Sequence, residues 1–244
     1  MARIFITGSA DGLGFLAARR LLALGHEVLL HVRNAARAQE LRNKLTAPIQ
    51  LVTGDLSDME QTIELANAVN KAGSFDVIIH NAGVYQVNQQ TILHVNTIAP
   101  YILTCLIQPP QRLIYLCSNM HLQGRLHSAQ FEAATNQLTY SDSKFHMVLL
   151  AKAIARKWPA VFSNAVDPGW VPTKMGGSGA PDNLDKGYET QVWLATSMEP
   201  NACVSGKYFY HRVERKAHPL TEATDLQEQL LQLCEKYSGV KFPG

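Results

Sequence analysis

Residues 2–14 read ARIFITGSADGLG, and this stretch decides the fold. Residues 2–7 form a short apolar run with the length of a buried strand. Thr7-Gly8-Ser9-Ala10-Asp11-Gly12-Leu13-Gly14 then makes a glycine-rich turn, and residues 13–24 carry apolar side chains at helical spacing. Glycines let a backbone turn tightly and approach a diphosphate without a Cβ in the way. A helix that starts near Leu13 points its first N–H groups at such an anion. A purely structural turn is the plainer alternative. The order strand, glycines, helix favours a nucleotide.

Outward from this stretch, Gly25 ends the helix and the pattern repeats. Short apolar runs at 27–31, 49–53, 76–80, 112–118, 160–166 and 207–210 read as strands. Helical patterns lie near 35–45, 58–72, 90–107, 140–157, 183–197 and 222–237. Strands alternating with helices imply βαβ units and a parallel sheet covered on both faces. The expected fold is therefore α/β: a doubly wound, Rossmann-type parallel sheet of about seven strands. No Gly/Ser-rich or Pro-rich linker divides the 244 residues, so 1–244 reads as one domain. Residues 168–185 (PGWVPTKMGGSGAPDNLD) are too irregular for a core element. They mark a binding loop, taken as about 170–190.

Composition narrows the function. Lys and Arg number 22 against 20 Asp and Glu, which opposes a dedicated nucleic-acid binder. At 46% hydrophobic and 17% charged, the chain is globular and not disordered. Cys105, Cys117, Cys203 and Cys234 form no C-x-x-C and no zinc spacing, so reduced thiols and a cytoplasmic location are expected. No H-E-x-x-H or histidine cluster is present, and no metal is expected. The N-terminus lacks the pattern of a signal peptide, and no apolar stretch approaches the roughly 18 residues of a membrane span.

Tyr140-Ser141-Asp142-Ser143-Lys144 places a tyrosine and a lysine one helical turn apart. A phenol of pKa about 10 is a poor base at neutral pH, and a nearby ammonium favours its ionised form. Bringing it near 7 takes about three units, or about 4 kcal/mol. Ser118 ends the fifth strand, where sheets of this type bind ligands. Its hydroxyl can donate to a substrate oxygen as charge develops there, although a serine at a strand end is commonly a turn former. At the end of the second strand, His31-Val32-Arg33-Asn34 holds no carboxylate to grip a ribose 2′-hydroxyl. Arg33, with Arg37 as a second contact, suits a 2′-phosphate instead, so NADP(H) is favoured over NAD(H). Asp11 counts against this, and the plain reading of Arg33 is a solvated charge.

These landmarks, in this order, resemble the short-chain dehydrogenase/reductase family, and the resemblance covers about residues 3–240. It implies a hydride transfer between the nicotinamide cofactor and a small-molecule carbonyl or alcohol. By that resemblance the cofactor is bound by Gly8, Ser9, Asp11, Gly12, Leu13 and Gly14 of the first turn. Asp55 and Leu56 would meet the adenine, although a helix start with Ser57 and Asp58 reads equally well there. His80-Asn81-Ala82-Gly83 is similar to the family's N-N-A-G, so Asn81, Ala82 and Gly83 would pass the ribose. Pro168, Gly169, Val171 and Thr173 match its P-G-x-x-x-T, which carries the nicotinamide. The implied catalytic set is Asn96, Ser118, Tyr140 and Lys144, with Tyr140 and Lys144 also on the cofactor. Asn96 would kink its helix and hold a relay water; a core amide satisfied by backbone is the alternative.

Ser118-Asn119-Met120-His121-Leu122-Gln123-Gly124-Arg125 resembles the retinol dehydrogenase and protochlorophyllide reductase-like subgroup. Two departures oppose a retinoid: only 15 residues separate Asn81 from Asn96, and the animal enzymes' N-terminal anchor is missing. Trp170, Met120, Met175 and Phe131 suggest an apolar pocket, and His121 either contacts substrate or is structural. Apolar residues on several faces of 140–157 suggest a homodimer or homotetramer. The alternative function is an NADP-binding sensor or scaffold without turnover. Such proteins usually lose the tyrosine or lysine that this chain keeps.

Overall fold

A computed structural model describes residues 1–44, 49–132 and 137–243. One sheet organises the chain. Its strands are β1 (Arg3–Ile6), β2 (Glu27–Val32), β3 (Gln50–Thr53), β4 (Val77–His80), β5 (Arg112–Leu116), β6 (Phe162–Asp167), β7 (Tyr208–Tyr210) and β8 (Val213–Arg215). The spatial order is β3-β2-β1-β4-β5-β6-β7-β8. All neighbours are parallel except β7 and β8. The order reverses between β1 and β4, which opens a crevice beyond their C-terminal ends.

The eighth strand corrects the expected seven. It has three residues, all exposed, and so gives no hydrophobic signal. Its hairpin turns through His211 and Arg212 at φ 48° and 63°, without the glycine that usually marks such a turn.

Helices α1 (Gly12–Ala23), α2 (Ala35–Lys44) and a later helix at Leu184–Thr196 cover one face of the sheet. α3 (Met59–Lys71), α4 (Gln89–Leu93), α5 (Ala99–Leu106), α6 (Tyr140–Lys157) and a last helix at Thr224–Ser238 cover the other. The Leu184–Thr196 helix, α7, starts on Asn183, whose side chain caps Asp185 and Lys186 N–H. The binding loop therefore ends at 183 and not near 190. β4 and β5 are buried along their whole length, as strands covered on both faces must be.

α4 and α5 form one helix interrupted by a π turn at His94–Ile98. The last helix, α8, is tied to it from far along the chain. His94 donates through Nδ1 to the Ser57 carbonyl and accepts the Tyr237 hydroxyl at Nε2, at 2.7 and 2.8 Å. Tyr101 donates to the Val240 carbonyl at 2.9 Å.

α6 is buried on nearly every side by its own chain. β5, β6, the 119–123 turn and α8 all pack on it, and Phe145, Leu149 and Ile154 are core residues. Its apolar faces are thus largely covered within the chain. Phe131 is likewise a core residue against His146 and Tyr237, and not a pocket wall. Among the described residues, no helix is long and apolar enough to cross a membrane.

Of the buried imidazoles, three are shifted furthest toward the neutral form. Burial holds His31 and His146 down to about 4 and His80 down to about 3. Unfolded, the same rings take up protons near pH 6.5. Between about pH 6.5 and 4 the unfolded chain therefore binds more protons, so stability falls as pH falls, by up to about 1.4 kcal/mol per unit per ring. Urea unfolding should show a midpoint that drops from about pH 7.5 to about pH 5. His80→Phe, which preserves the stack on Tyr115, should flatten that slope. A midpoint indifferent to pH would contradict neutral burial.

Candidate active site

The crevice is a cleft of about 680 Å³. Its first wall is the glycine-rich turn. Gly8 has φ 64°, and a Cβ there would lie 2.9 Å from the Ala82 Cα, so both the turn and the close approach require glycine. The Gly8 N–H is held by His31 Nδ1 at 3.0 Å, and His31 Nε2 donates to the Gly54 carbonyl at 2.8 Å. That neutral tautomer fits the depressed pKa. Asn81 donates to the Thr7 and Gly8 carbonyls at 3.0 and 3.1 Å, and Ala82 N–H donates to the Thr7 hydroxyl at 3.0 Å. Gly14 packs directly on the Asn81 amide. Ser9 is fully buried; its hydroxyl serves Ile6 and His31 rather than the cleft.

α1 opens at Gly12, and Asp11 caps it without a side-chain bond. The Asp11 carboxylate instead pairs with Arg37 at 2.6 Å and Lys174 at 3.2 Å. Arg33 pairs with Asp55 at 2.8 Å. Burial pulls Asp55 upward, but bonds from Ser57 and Arg33 outweigh it and hold the carboxyl below its ordinary range. Arg33, Arg37, Lys144 and Lys174 outnumber Asp11 and Asp55 among the charged groups lining the cleft, so it favours an anion.

Of the residues singled out in the sequence, the cleft is lined by Gly8, Asp11, Gly12, Leu13, Arg33, Asp55, Leu56, Asn81, Ala82, Gly83, Tyr140, Lys144, Pro168 and Thr173. Met175 lines it too. Val171 is buried behind the wall, and Gly169 N–H is held by Asp167 at 2.9 Å. Thr173 accepts the Gly176 N–H at 3.2 Å.

Tyr140 is the first residue of α6. A reciprocal cap fixes that start: Thr139 accepts from Asp142 N–H, and Asp142 accepts from Thr139 N–H at 2.8 Å. Lys144 lies one turn on, only 4% exposed, and its Nζ donates to the Leu116 carbonyl at 3.1 Å. The ammonium is 5.3 Å from the Tyr140 ring centre. Burial lowers Lys144 to about 8 and raises the Tyr140 phenol above its ordinary value. Both groups are desolvated, and the lysine's bond goes to a carbonyl.

Asn96 lies in the π turn that interrupts its helix. Its amide oxygen accepts the Val84 N–H at 2.8 Å, and its nitrogen donates to the Val84 carbonyl and the Ser143 hydroxyl, each at 3.0 Å.

Ser118 is half-buried just past β5, where its hydroxyl accepts the Met120 N–H at 3.3 Å. His121 is a strut. Nδ1 donates to the Ser118 carbonyl at 2.7 Å, and Nε2 accepts the His218 N–H at 3.1 Å. Residues that sequence reasoning missed are His31, which grips the turn, and Tyr85. The Tyr85 ring meets the Tyr140 ring edge-on at 4.8 Å. Among the described residues no metal-holding group of His, Cys, Asp and Glu is assembled.

A Rossmann cleft with a glycine cradle at one end and a tyrosine–lysine pair at the other defines a nicotinamide-dependent oxidoreductase. A family profile described as short chain dehydrogenase matches residues 2–119. The short-chain dehydrogenase chry4 of Gibberella zeae is 38% identical over 265 residues, covering 100% of both chains. The short-chain dehydrogenase chyC of Penicillium rubens is 39% identical over 260 residues with the same coverage. A solved short-chain dehydrogenase of Shigella flexneri, complexed with NADP, superposes with a TM-score of 0.69 at 21% identity. It covers 87% of this chain and 97% of its own. The chain belongs to the short-chain dehydrogenase family and is an oxidoreductase acting on carbonyl or alcohol groups.

Replacing Asn96 by alanine leaves both Val84 backbone groups without their partner, and is expected to cost about 2–3 kcal/mol. Urea unfolding of the variant measures this. A loss below about 0.5 kcal/mol would mean that the pairing contributes little.

Proposed function

We propose that the chain reduces an apolar ketone or aldehyde, or oxidises the matching alcohol, with NADP(H) as the favoured cofactor. The observation that carries this reading is the Tyr140–Lys144 pair in the lining of the cleft, with Lys144 pinned to β5. The cleft suits the cofactor: Gly8 and Gly14 leave room where a Cβ would collide, and the lining is net cationic. Bound there, the nicotinamide supplies or accepts the hydride at the substrate carbon.

The chain's own residues handle the rest. Gly8, Ser9, Asp11, Gly12, Leu13 and Gly14 shape the diphosphate turn. Asp55, Leu56, Asn81, Ala82 and Gly83 border the adenosine, and Pro168, Gly169, Val171 and Thr173 border the nicotinamide. Ser118 orients the carbonyl oxygen, and Tyr140 gives it the phenolic proton during reduction. Burial favours the protonated phenol and so suits Tyr140 to this donor role. Lys144 holds the ribose and, when charged, eases loss of the proton. Asn96 fixes the helix beside Ser143 and Lys144. Arg33 and Arg37 face the 2′-phosphate, with Asp55 and Asp11 holding their guanidinium groups in place. The tyrosine and lysine are both retained, and the relatives are named dehydrogenases, so the sensor reading has no observation in its favour.

Tyr140→Phe should lower NADPH-dependent carbonyl reduction by about 10²- to 10⁴-fold while leaving NADPH affinity nearly unchanged. Equal activity in the variant would sink the mechanism. Arg33→Ala should weaken NADPH binding about tenfold and NADH binding little, read by fluorescence titration.

The pH dependence has a stated sign. kcat/KM with NADPH varied reports the free enzyme, where Lys144 titrates at about 8. Reduction should therefore be steady below that pH and fall above it. A profile without an alkaline limb near 8 would show that the charge on Lys144 is not needed.

A further inference from the structure

Exposed apolar side chains gather at the mouth of the cleft. Tyr85 and Val87, 40% and 43% exposed, stand on the 84–88 loop, and Trp170 and Met175, 60% and 48% exposed, stand on the 168–183 loop. Val87 and Met175 line the same cleft as Tyr140, so both loops border it. A concentrated apolar surface at a polar site marks a ligand face.

Both aromatic side chains stand on braced backbone. The Asn96 amide holds Val84 by both its N–H and its carbonyl. Asn88 caps the next helix through the Thr91 N–H at 2.8 Å. Between these anchors Gln86 takes φ 56°, a left-handed turn residue without glycine. The result is a short, fixed turn that lays Tyr85 against the proton donor at 4.8 Å between ring centres. On the other loop, Trp170 is fixed by its N–H to Asp182 at 2.6 Å and by its indole Nε1–H to the Gly176 carbonyl at 2.8 Å.

We infer that Tyr85 is a specificity-determining residue, an aromatic plate that stacks a planar aryl ketone with its carbonyl at Tyr140. The inference rests on the reductase reading above. A flat aromatic group gains from a fixed ring face and gives up little conformational entropy. A puckered saturated ring of the same size gains less from that face.

The test uses a matched pair of methyl ketones, 2-acetylnaphthalene and cyclohexyl methyl ketone, with NADPH. Tyr85→Leu should lower kcat/KM for the naphthyl ketone about five- to tenfold, through KM, and change the cyclohexyl ketone less than about twofold. Tyr85→Phe, which retains the ring, should behave as the parent does. An equal fall for both ketones, or a Phe variant that behaves as Leu, overturns the stacking role. A second measurement keeps the two readings separate: titration of 2-acetylnaphthalene into the NADP⁺-loaded protein, followed by naphthalene fluorescence. Binding without turnover, weakened in Tyr85→Leu, supports the plate and overturns the reductase reading. No binding to the parent protein, or binding indifferent to Tyr85→Leu, overturns the plate.

Discussion

The carboxamide of Asn96 joins three segments: its own π turn, the Val84 loop and α6. It completes a two-way bond with the Val84 backbone and reaches Ser143 on α6. Ser143 lies between Tyr140 and Lys144 and donates to the Tyr140 carbonyl. A buried amide left unsatisfied is costly, so these partners are compulsory once the side chain is inside. The π turn supplies the extra backbone that aims Asn96 away from its own helix. Asn96 thus links the loop carrying Tyr85 to the helix carrying Tyr140, alongside the direct contact of the two rings.

Burial governs the electrostatics of the cleft. It keeps His31 neutral, which makes the ring a stable acceptor for Gly8 and donor to Gly54. It also brings Lys144 into the range where its charge responds to modest changes. At the outer end the groups are solvated, and there the chain uses paired charges: Arg37 and Lys174 meet Asp11, and Arg33 meets Asp55. The carboxylate that looked adverse to an anionic ligand is thus the partner of two cations.

Local pattern made much of this readable from sequence. The run from Arg3 to Gly14 specified strand, turn and helix because each step has its own short-range chemistry. The four-residue spacing of Tyr140 and Lys144 specified a shared helix face. What stayed hidden depends on partners distant in the chain. Ser9 and His31 are 22 residues apart, and His121 meets His218 across 97. β8 was invisible because all of its side chains face solvent. The apolar faces of α6 suggested pairing of subunits, because sequence periodicity does not say that α8 and the 119–123 turn pack on them. Tyr85 was missed because an aromatic residue in a loop carries no periodic signal.

The contacts that tie α8 to the helix of Asn96 span 143 residues for His94 and Tyr237, and 139 for Tyr101 and Val240. Closing loops of that length carries a large entropy loss that short-range helix and turn formation does not. The nucleotide-side turn needs shorter closures, 23 residues from Gly8 to His31 and 74 from Thr7 to Asn81, so it can take shape somewhat earlier in folding. The segment that presents the proton donor is expected to be secured late, giving the two ends of one cleft different folding histories.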